Sequence, residues 1–212
     1  MNSQLPFVCL VRHGETAWSL SGQHTGLTDL ALTERGKVNA VRLSARLKGL
    51  TFGQVLTSPL KRAKQTCELA GVGAIAEVDD DLVEWNYGAY EGKTSAEIYK
   101  QQPEWNLFQD GCPQGESVAE IGGRADRVVE RIREFDGNVL LFSSGHFLRV
   151  LAARWIGLEA KAGQHFYLGT ASLSIICYEH NRRDPVIRLW NEQIDTTESE
   201  EYERRATGSV SD

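Results

Sequence analysis

The chain has 212 residues, of which 41% are hydrophobic and 25% charged, with a formal net charge of −6. That length suits one domain with a sizeable core, and the composition is that of a soluble globular protein. The negative charge argues against nucleic acid as a partner, no apolar stretch is long enough to span a membrane, and Met1-Asn2-Ser3-Gln4-Leu5 carries no signal-peptide pattern.

The first element predicted is a strand. Phe7, Val8, Cys9, Leu10 and Val11 form an apolar run of the kind found in buried strands. Arg12-His13-Gly14-Glu15-Thr16 follows directly, and Gly14 lets the chain turn there. Open α/β sheets bind ligands beyond the carboxyl ends of their strands. An Arg and a His delivered to that place can hold an anion and attack it, although the two could also be a structural pair. Thr33 is the expected N-cap of a helix marked by Ala40, Leu43, Leu47 and Leu50. Gln54-Val55-Leu56-Thr57 predicts a short strand. Ser58 then reads as an N-cap and Pro59 as the first residue of a helix, with Leu60, Ala63 and Cys67 as its apolar stripe. Arg62 falls in the first turn, where free N–H groups favour an anion and a guanidinium can grip phosphate oxygens bidentately. A solvated basic helix start is the other reading of Lys61 and Arg62.

Residues 74–78 predict another short strand. Asp79-Asp80-Asp81 lacks a partnering ligand set for a metal and reads as a loop. Glu84 follows, on residue type alone compatible with an ordinary surface carboxylate. Glu91 is expected to serve local structure just ahead of Thr94-Ser95-Ala96-Glu97, a capping box. From about 87 to 117 the rhythm is interrupted by Trp, Pro and Gly, and a small helical cap over the site is expected. Val118, Ile121, Ala125, Val128, Val129, Ile132 and Phe135 trace a long amphipathic helix. Asn138-Val139-Leu140-Leu141-Phe142 is a second buried-strand run, followed by Ser143-Ser144-Gly145-His146. The chain has only five His, and two of them sit at strand-to-helix switches. His146 could also simply cap the helix defined by Leu148, Leu151, Ala152, Trp155 and Ile156. Residues 171–178 and 186–190 look like closing strands.

This alternation implies an α/β fold: three layers, α/β/α, with a mostly parallel central sheet and a small helical cap. A single domain over 1–194, with the cap as an insertion, is expected. Residues 195–212 hold six acidic residues against Arg204 and Arg205, and an acidic, mobile tail is expected there. Cys9, Cys67, Cys112 and Cys177 are widely spaced with no CxxC, which fits buried thiols in a reducing cytoplasm.

The joint order of Arg12-His13-Gly14, Arg62, Glu84 and Gly145-His146 resembles the signature of the histidine phosphatase superfamily, also called phosphoglycerate mutase-like. The likeness runs from Val8 to about Trp190. It implies that His13 attacks phosphorus to form a phosphohistidine. Arg12, Arg62 and His146 would hold the phosphoryl oxygens and offset developing charge. Glu84, in a stretch similar to Leu-x-Glu-x-x-x-Gly-x-x-Glu-Gly, would be the proton donor. The two arginines would also oppose protonation of His13. Cationic side chains take the place of metal ions in this scheme, so neither a metal nor another cofactor is expected. Ser19 stands where mutases often carry Asn and can still donate to phosphate, with shorter reach. His24 and Thr25 are candidates for substrate contact, with Tyr87 beside Glu84; His24 could equally be a surface loop residue.

Residues 21–29 and 110–117 look like the branch holding sedoheptulose-bisphosphatase-like enzymes and bacterial acid phosphatases. Cofactor-dependent mutases use an arginine pair and a lysine after the catalytic glutamate. Between Tyr87 and Gly123 the only basic residues here are Lys93 and Lys100. Trp105, Phe108 and Tyr99 in that region suit the faces and hydroxyls of a sugar-like substrate. The expected function is therefore metal-independent hydrolysis of small phosphorylated metabolites such as sugar phosphates or bisphosphates. A phosphoglycerate mutase and a non-catalytic phosphoester-binding module are the alternatives. A homodimer through an edge strand, and a tail that covers the site as in mutases, are both open.

Overall fold

The structure, a computed structural model, describes residues 5–193. The expected acidic tail, 195–212, lies outside the described residues. In chain order the elements are β1 (Val8–Arg12), α1 (Ala17–Ser21), α2 (Glu34–Leu47), β2 (Gln54–Thr57), α3 (Lys61–Leu69), β3 (Ala76–Val78), α4 (Ser95–Tyr99), α5 (Leu107–Asp110), α6 (Val118–Glu134), β4 (Val139–Ser143), α7 (Gly145–Trp155), β5 (Leu173–Tyr178) and β6 (Pro185–Glu192).

β1 and β4 read as unbroken apolar runs because both of their faces are covered. Val8, Leu10, Val139 and Leu141 pack with Ile121, Val128 and Ile132 of α6 and Leu148 and Leu151 of α7. Cys9, Val11, Leu140 and Phe142 pack with Leu43 and Leu47 of α2 and Ala63 and Cys67 of α3. The result is the expected three-layer α/β/α arrangement. The sheet has six strands in the order β3-β2-β4-β1-β5-β6. β1 to β4 are joined by parallel pairings, and β5 is antiparallel to both β1 and β6. The reversal at β5 follows from the preceding loop, which crosses the carboxyl end of β1. Arg12 N–H donates to the Ser172 carbonyl and Ala171 N–H to the His13 carbonyl.

Register brings the site together. Arg12 lies opposite Ser143, and Thr57 opposite Phe142, so β1, β2 and β4 end level with one another. Whatever follows each strand is delivered to one place.

Several local expectations need correction. α3 begins at Lys61, with Leu60 and not Ser58 at the N-cap and no side-chain cap of its own. Asp29, from a distant loop, accepts from Lys61 N–H at 2.7 Å and takes the place of the cap. α2 starts after Thr33 as expected but ends at Leu47, and Leu50 is exposed beyond a left-handed Gly49. Residues 73–75 form a 3₁₀ turn, so β3 is shorter than its expected span. Gly14 does not adopt a left-handed φ. It is needed for close approach: a Cβ there would sit 2.6 Å from the Gly36 carbonyl oxygen at the start of α2. The aspartates form a 3₁₀ turn rather than a plain loop, and Asp79 and Asp81 pair with Arg127 and Arg131 of α6. Between 87 and 117 stand a 3₁₀ turn, Gly88–Tyr90, and the short helices α4 and α5. Tyr90, Ile98, Trp105 and Phe108 seat this segment on the same core as Trp85 and Ile121.

Candidate active site

His13 leaves the end of β1 with its backbone fixed on both sides. Its N–H donates to the Ser143 carbonyl at 3.0 Å, and its carbonyl accepts from Ala171. The ring Nδ1 lies 2.7 Å from the Gly14 carbonyl oxygen. A carbonyl only accepts, so Nδ1 carries the proton and the Nε2 lone pair is left over. Burial, and then the nearby charges of Arg62 and Arg12, hold this imidazole well below its usual 6.5, against the opposing pull of the Gly14 carbonyl. A buried neutral imidazole with a defined tautomer results.

Arg12 is fixed from behind, its Nη1 donating to the Leu168 carbonyl. Its Nε is the one buried side-chain N or O atom without a hydrogen-bond partner among the described residues. Burial pulls its pKa down, while Glu84 and Tyr87 push the other way. Such an orphaned donor fits an anion. Gly145 makes room for it, since a Cβ there would sit 3.1 Å from Arg12 Cζ and Nε.

Arg62, in the first turn of α3, is fully buried. It behaves differently from the open fork expected of it. Its donors go to the carbonyls of Thr28 (2.9 Å), Thr25 (3.1 Å) and Gly26 (2.7 Å) and to Ser144 Oγ (3.4 Å). A buried guanidinium must satisfy its N–H groups, and here it does so by clamping the 25–28 loop. Its charge still acts on His13. Glu91 holds the same loop from the other side, accepting from Gly26 and Thr28 N–H, a structural role as expected but a long-range one.

Glu84 is buried at the amino end of α7. Its carboxylate accepts from the backbone N–H groups of His146 (3.0 Å), Phe147 (2.8 Å) and Trp85 (2.9 Å). The helix N-terminus thus fixes the acid in place. His146 stands in the first turn of the same helix. Its Nδ1 is 2.5 Å from the Tyr87 hydroxyl and 4.0 Å from Glu84 Oε2. Burial, then Arg149, His24 and Arg12, hold His146 well below its usual 6.5, so the contact with Glu84 is not an ion pair.

Arg12, His13, Glu84 and His146 line one cavity of about 180 Å³, with Ser19, His24, Thr25 and Tyr87 in its walls. Of the residues to which the resemblance gives a catalytic role, only Arg62 stands behind that lining. Ser19 Oγ is engaged with the backbone of Thr16, accepting from its N–H at 2.9 Å and donating to its carbonyl at 3.0 Å. His24 is tied to the cap through Ser95 Oγ at 3.3 Å and packs on Tyr87, with ring centroids 4.8 Å apart. A second cavity of about 360 Å³ shares His24 and His146 and opens onto Asn106, Arg149, Gln164 and His165. Trp105 and Phe108, core residues of the cap only 7% and 4% exposed, still line this second cavity together with Tyr99, which is 46% exposed.

Two residues escaped the sequence reading. Arg124 of α6 donates to the carbonyls of Asp81, Val83 and Glu84 and pairs with Glu116, which also accepts from Asn86 N–H. The pair clamps the segment carrying Glu84. Its signal was an Arg on the apolar stripe of Ile121, Ala125 and Val128. Arg149, one turn after His146, donates through Nε and Nη2 to the Gly163 and Gln164 carbonyls and stacks on Phe108. Burial raises the thiols of Cys9, Cys67 and Cys112 to about 12, so none competes as a nucleophile. No helix is long and apolar enough to cross a membrane, and no cluster of His, Cys, Asp and Glu suits a metal, among the described residues.

A neutral buried histidine, the buried Arg62 guanidinium, the buried and unpartnered Arg12 Nε and a fixed carboxylate at the carboxyl ends of parallel strands suit a phosphoryl-like anion. Residues 8–193 match the model of the histidine phosphatase superfamily, branch 1, and the chain belongs to that superfamily as a phosphatase. It is 42% identical over 179 residues to an acid phosphatase of Mycobacterium tuberculosis, covering 82% of this chain and 87% of that one. It is 37% identical over 193 residues to sedoheptulose 1,7-bisphosphatase of Saccharomyces cerevisiae, covering 74% and 70%. The solved structure of a Mycobacterium tuberculosis open reading frame superposes with a TM-score of 0.85 at 37% identity, covering 90% of this chain and 99% of that one.

Proposed function

We propose that the protein hydrolyses small phosphorylated metabolites without a metal ion, through a phosphohistidine on His13. The observation that carries this reading is the state of His13. Its Nδ1 proton is committed to the Gly14 carbonyl, and its Nε2 lone pair belongs to a neutral ring in a cavity shared with Arg12, Glu84 and His146. The Nε2 pair attacks phosphorus, and the bond to the ester oxygen breaks. Arg12 and His146 hold the phosphoryl oxygens, and Arg62 adds charge from behind. Glu84 gives a proton to the leaving oxygen, then takes one from the water that displaces His13. Fixed cationic side chains thus carry the charge stabilisation that a metal ion would otherwise supply.

The wall of the second cavity supports a polar alcohol as the leaving group. Asn106, Gln164 and His165 offer hydrogen bonds to hydroxyls, and Arg149 keeps Nη1 for them or for an acidic group. A sugar phosphate or bisphosphate fits this chemistry, in keeping with the yeast relative's name. Ser19, His24 and Thr25 would meet the substrate at the cavity wall, while the Tyr87 hydroxyl is spent on His146.

Phosphorus NMR in excess chelator tests the proposal. The mixture holds a sugar bisphosphate, 3-phosphoglycerate and a trace of bisphosphoglycerate. Growth of inorganic phosphate at the expense of the sugar bisphosphate is expected, and His13→Ala should abolish it. Silence in chelator with recovery on adding a divalent cation would overturn metal independence. Appearance of 2-phosphoglycerate without free phosphate would mean transfer instead of hydrolysis.

A further inference from the structure

Tyr87 belongs to the cap segment, yet its hydroxyl reaches the amino end of α7. The ring is 2% exposed, and the oxygen lies 2.5 Å from His146 Nδ1. No other hydrogen-bond partner of this hydroxyl occurs among the described residues. A buried phenol proton needs an acceptor, and Nδ1 is the acceptor at hand. Were Nδ1 protonated instead, it would donate to the phenol oxygen and the phenol proton would be stranded. Burial keeps the phenol protonated, well above its usual 10, so a proton is present to donate.

We propose that Tyr87 is a positioning residue that acts through His146: its hydroxyl donates to Nδ1 and so fixes the proton of His146 on Nε2, the nitrogen left for the phosphoryl group. The inference rests on the reading of His146 as a holder of phosphoryl oxygens. A neutral imidazole gives that oxygen a hydrogen bond only if its single proton is on the nitrogen facing it. With Nδ1 protonated, Nε2 would present a lone pair to an anion and repel it. The charged and titratable groups around this ring are Glu84 on the segment between β3 and α4, His24 and Arg12 across the cavity, and Arg149 on its own helix. None of them is hydrogen-bonded to Nδ1. Removal of the Tyr87 hydroxyl therefore leaves Nδ1 without a donor and both tautomers open. The two site histidines then carry opposite tautomers for opposite tasks. His13 is protonated on Nδ1 to attack through Nε2, and His146 is protonated on Nε2 to donate. One is set by a backbone carbonyl and the other by the cap.

The test uses the full chain and two substitutions, Tyr87→Phe and His146→Asn, singly and combined. Phe keeps the ring and its packing on His24. Long-range proton–nitrogen NMR on 15N-histidine protein reads the tautomer directly. In the parent, His146 should show a protonated Nε2 and a bare Nδ1; in Tyr87→Phe the two nitrogens should move toward an averaged signal. Kinetically, Tyr87→Phe should lower kcat about tenfold, the scale of one lost hydrogen bond to a group that bears on the transition state, with KM nearly unchanged. In the His146→Asn background the same change should have almost no further effect, because the route to the substrate is gone. A parent protein with Nδ1 protonated, or a Tyr87→Phe effect of full size in the His146→Asn background, would overturn the proposal alone, the latter making Tyr87 a direct substrate contact. Parent-like turnover by His146→Asn would overturn the reading of the site and the proposal with it.

Discussion

His13 shows how much chemistry one side chain inherits from its surroundings. An exposed imidazole would be half protonated at its usual 6.5, but burial and the charges of Arg62 and Arg12 push this one well lower. The neutral form, which the proposed attack requires, therefore persists below pH 6.5. A profile of kcat/KM, corrected for the substrate's own ionisation, should stay flat through pH 6.5 and fall only in more acid solution; an acid limb centred at 6.5 would mean that His13 is not held this way. Glycine acts at the same scale by leaving space. A Cβ on Gly145 would press on Arg12 at 3.1 Å, and one on Gly14 would meet the Gly36 carbonyl at 2.6 Å. The first neighbour is a side chain and the second is backbone, so the consequences differ. Gly145→Ala should displace the guanidinium, raising KM severalfold with little change in Tm. Gly14→Ala strikes rigid backbone and should cost about 1–3 kcal/mol, seen as a Tm lower by roughly 2–12 °C. Steady-state kinetics and thermal melts of the two variants separate these outcomes.

Among elements, the segment from Asp79 to Tyr87 is the one most dependent on distant partners. It has little regular structure, yet it must hold Glu84 against α7. Arg124 does this from α6 through three carbonyls and the Glu116 carboxylate. The pair is largely buried, with side-chain exposures of 8% and 19%. Removal of one partner leaves an uncompensated charge and unsatisfied carbonyls, so Arg124→Met should destabilise by about 3–5 kcal/mol. A denaturant melt that loses less than about 1 kcal/mol would show that the clamp is incidental. Glu84→Gln tests the element's cargo. Alkyl phosphates should slow by about a hundred- to ten-thousand-fold and activated aryl phosphates far less; equal slowing would remove the proton-donor role. The same contrast explains which parts of the fold could be read from sequence. β1, β4 and α6 were legible because their patterns are local: unbroken apolar runs for doubly covered strands, a 3.6-residue stripe for the helix. The start of α3 was not, because its cap is supplied by Asp29 from another loop. Arg62 was legible as a residue but not in orientation, since local sequence does not say whether a guanidinium faces inward or toward a ligand. Arg124 was missed because its partners lie 8 to 43 residues away.

For the whole molecule, a site that holds two histidines neutral and leaves one guanidinium Nε without a partner ties stability to pH and to anions. The sign follows from proton counting. His13 and His146 titrate near 6.5 when unfolded but well below it when folded. Above 6.5 both states leave them neutral and their contribution is intact. As pH falls below 6.5 the unfolded chain takes up protons that the folded protein refuses, so stability drops until the folded values are reached. Asp81 adds a later stage: burial alone would raise it, but the bonds from Arg127 and Arg131 win and hold it below its usual 3.8, so its contribution fades only in stronger acid. Melts between pH 7.5 and 4.5 should therefore show a steady fall in Tm beginning near 6.5, and a His13→Ala variant should show a shallower fall. Anion binding should oppose the loss. On the proposed reading, inorganic phosphate would give the Arg12 Nε its missing acceptor and bind only the folded state. At a hundred times its Kd it should add about 2.7 kcal/mol, or roughly 5–10 °C in Tm for a chain of this size. Chloride at matched ionic strength should not do so, and Arg12→Ala should lose most of the gain. An equal rise in the parent and in Arg12→Ala would place the phosphate elsewhere, and with it the charge that this site is built to receive.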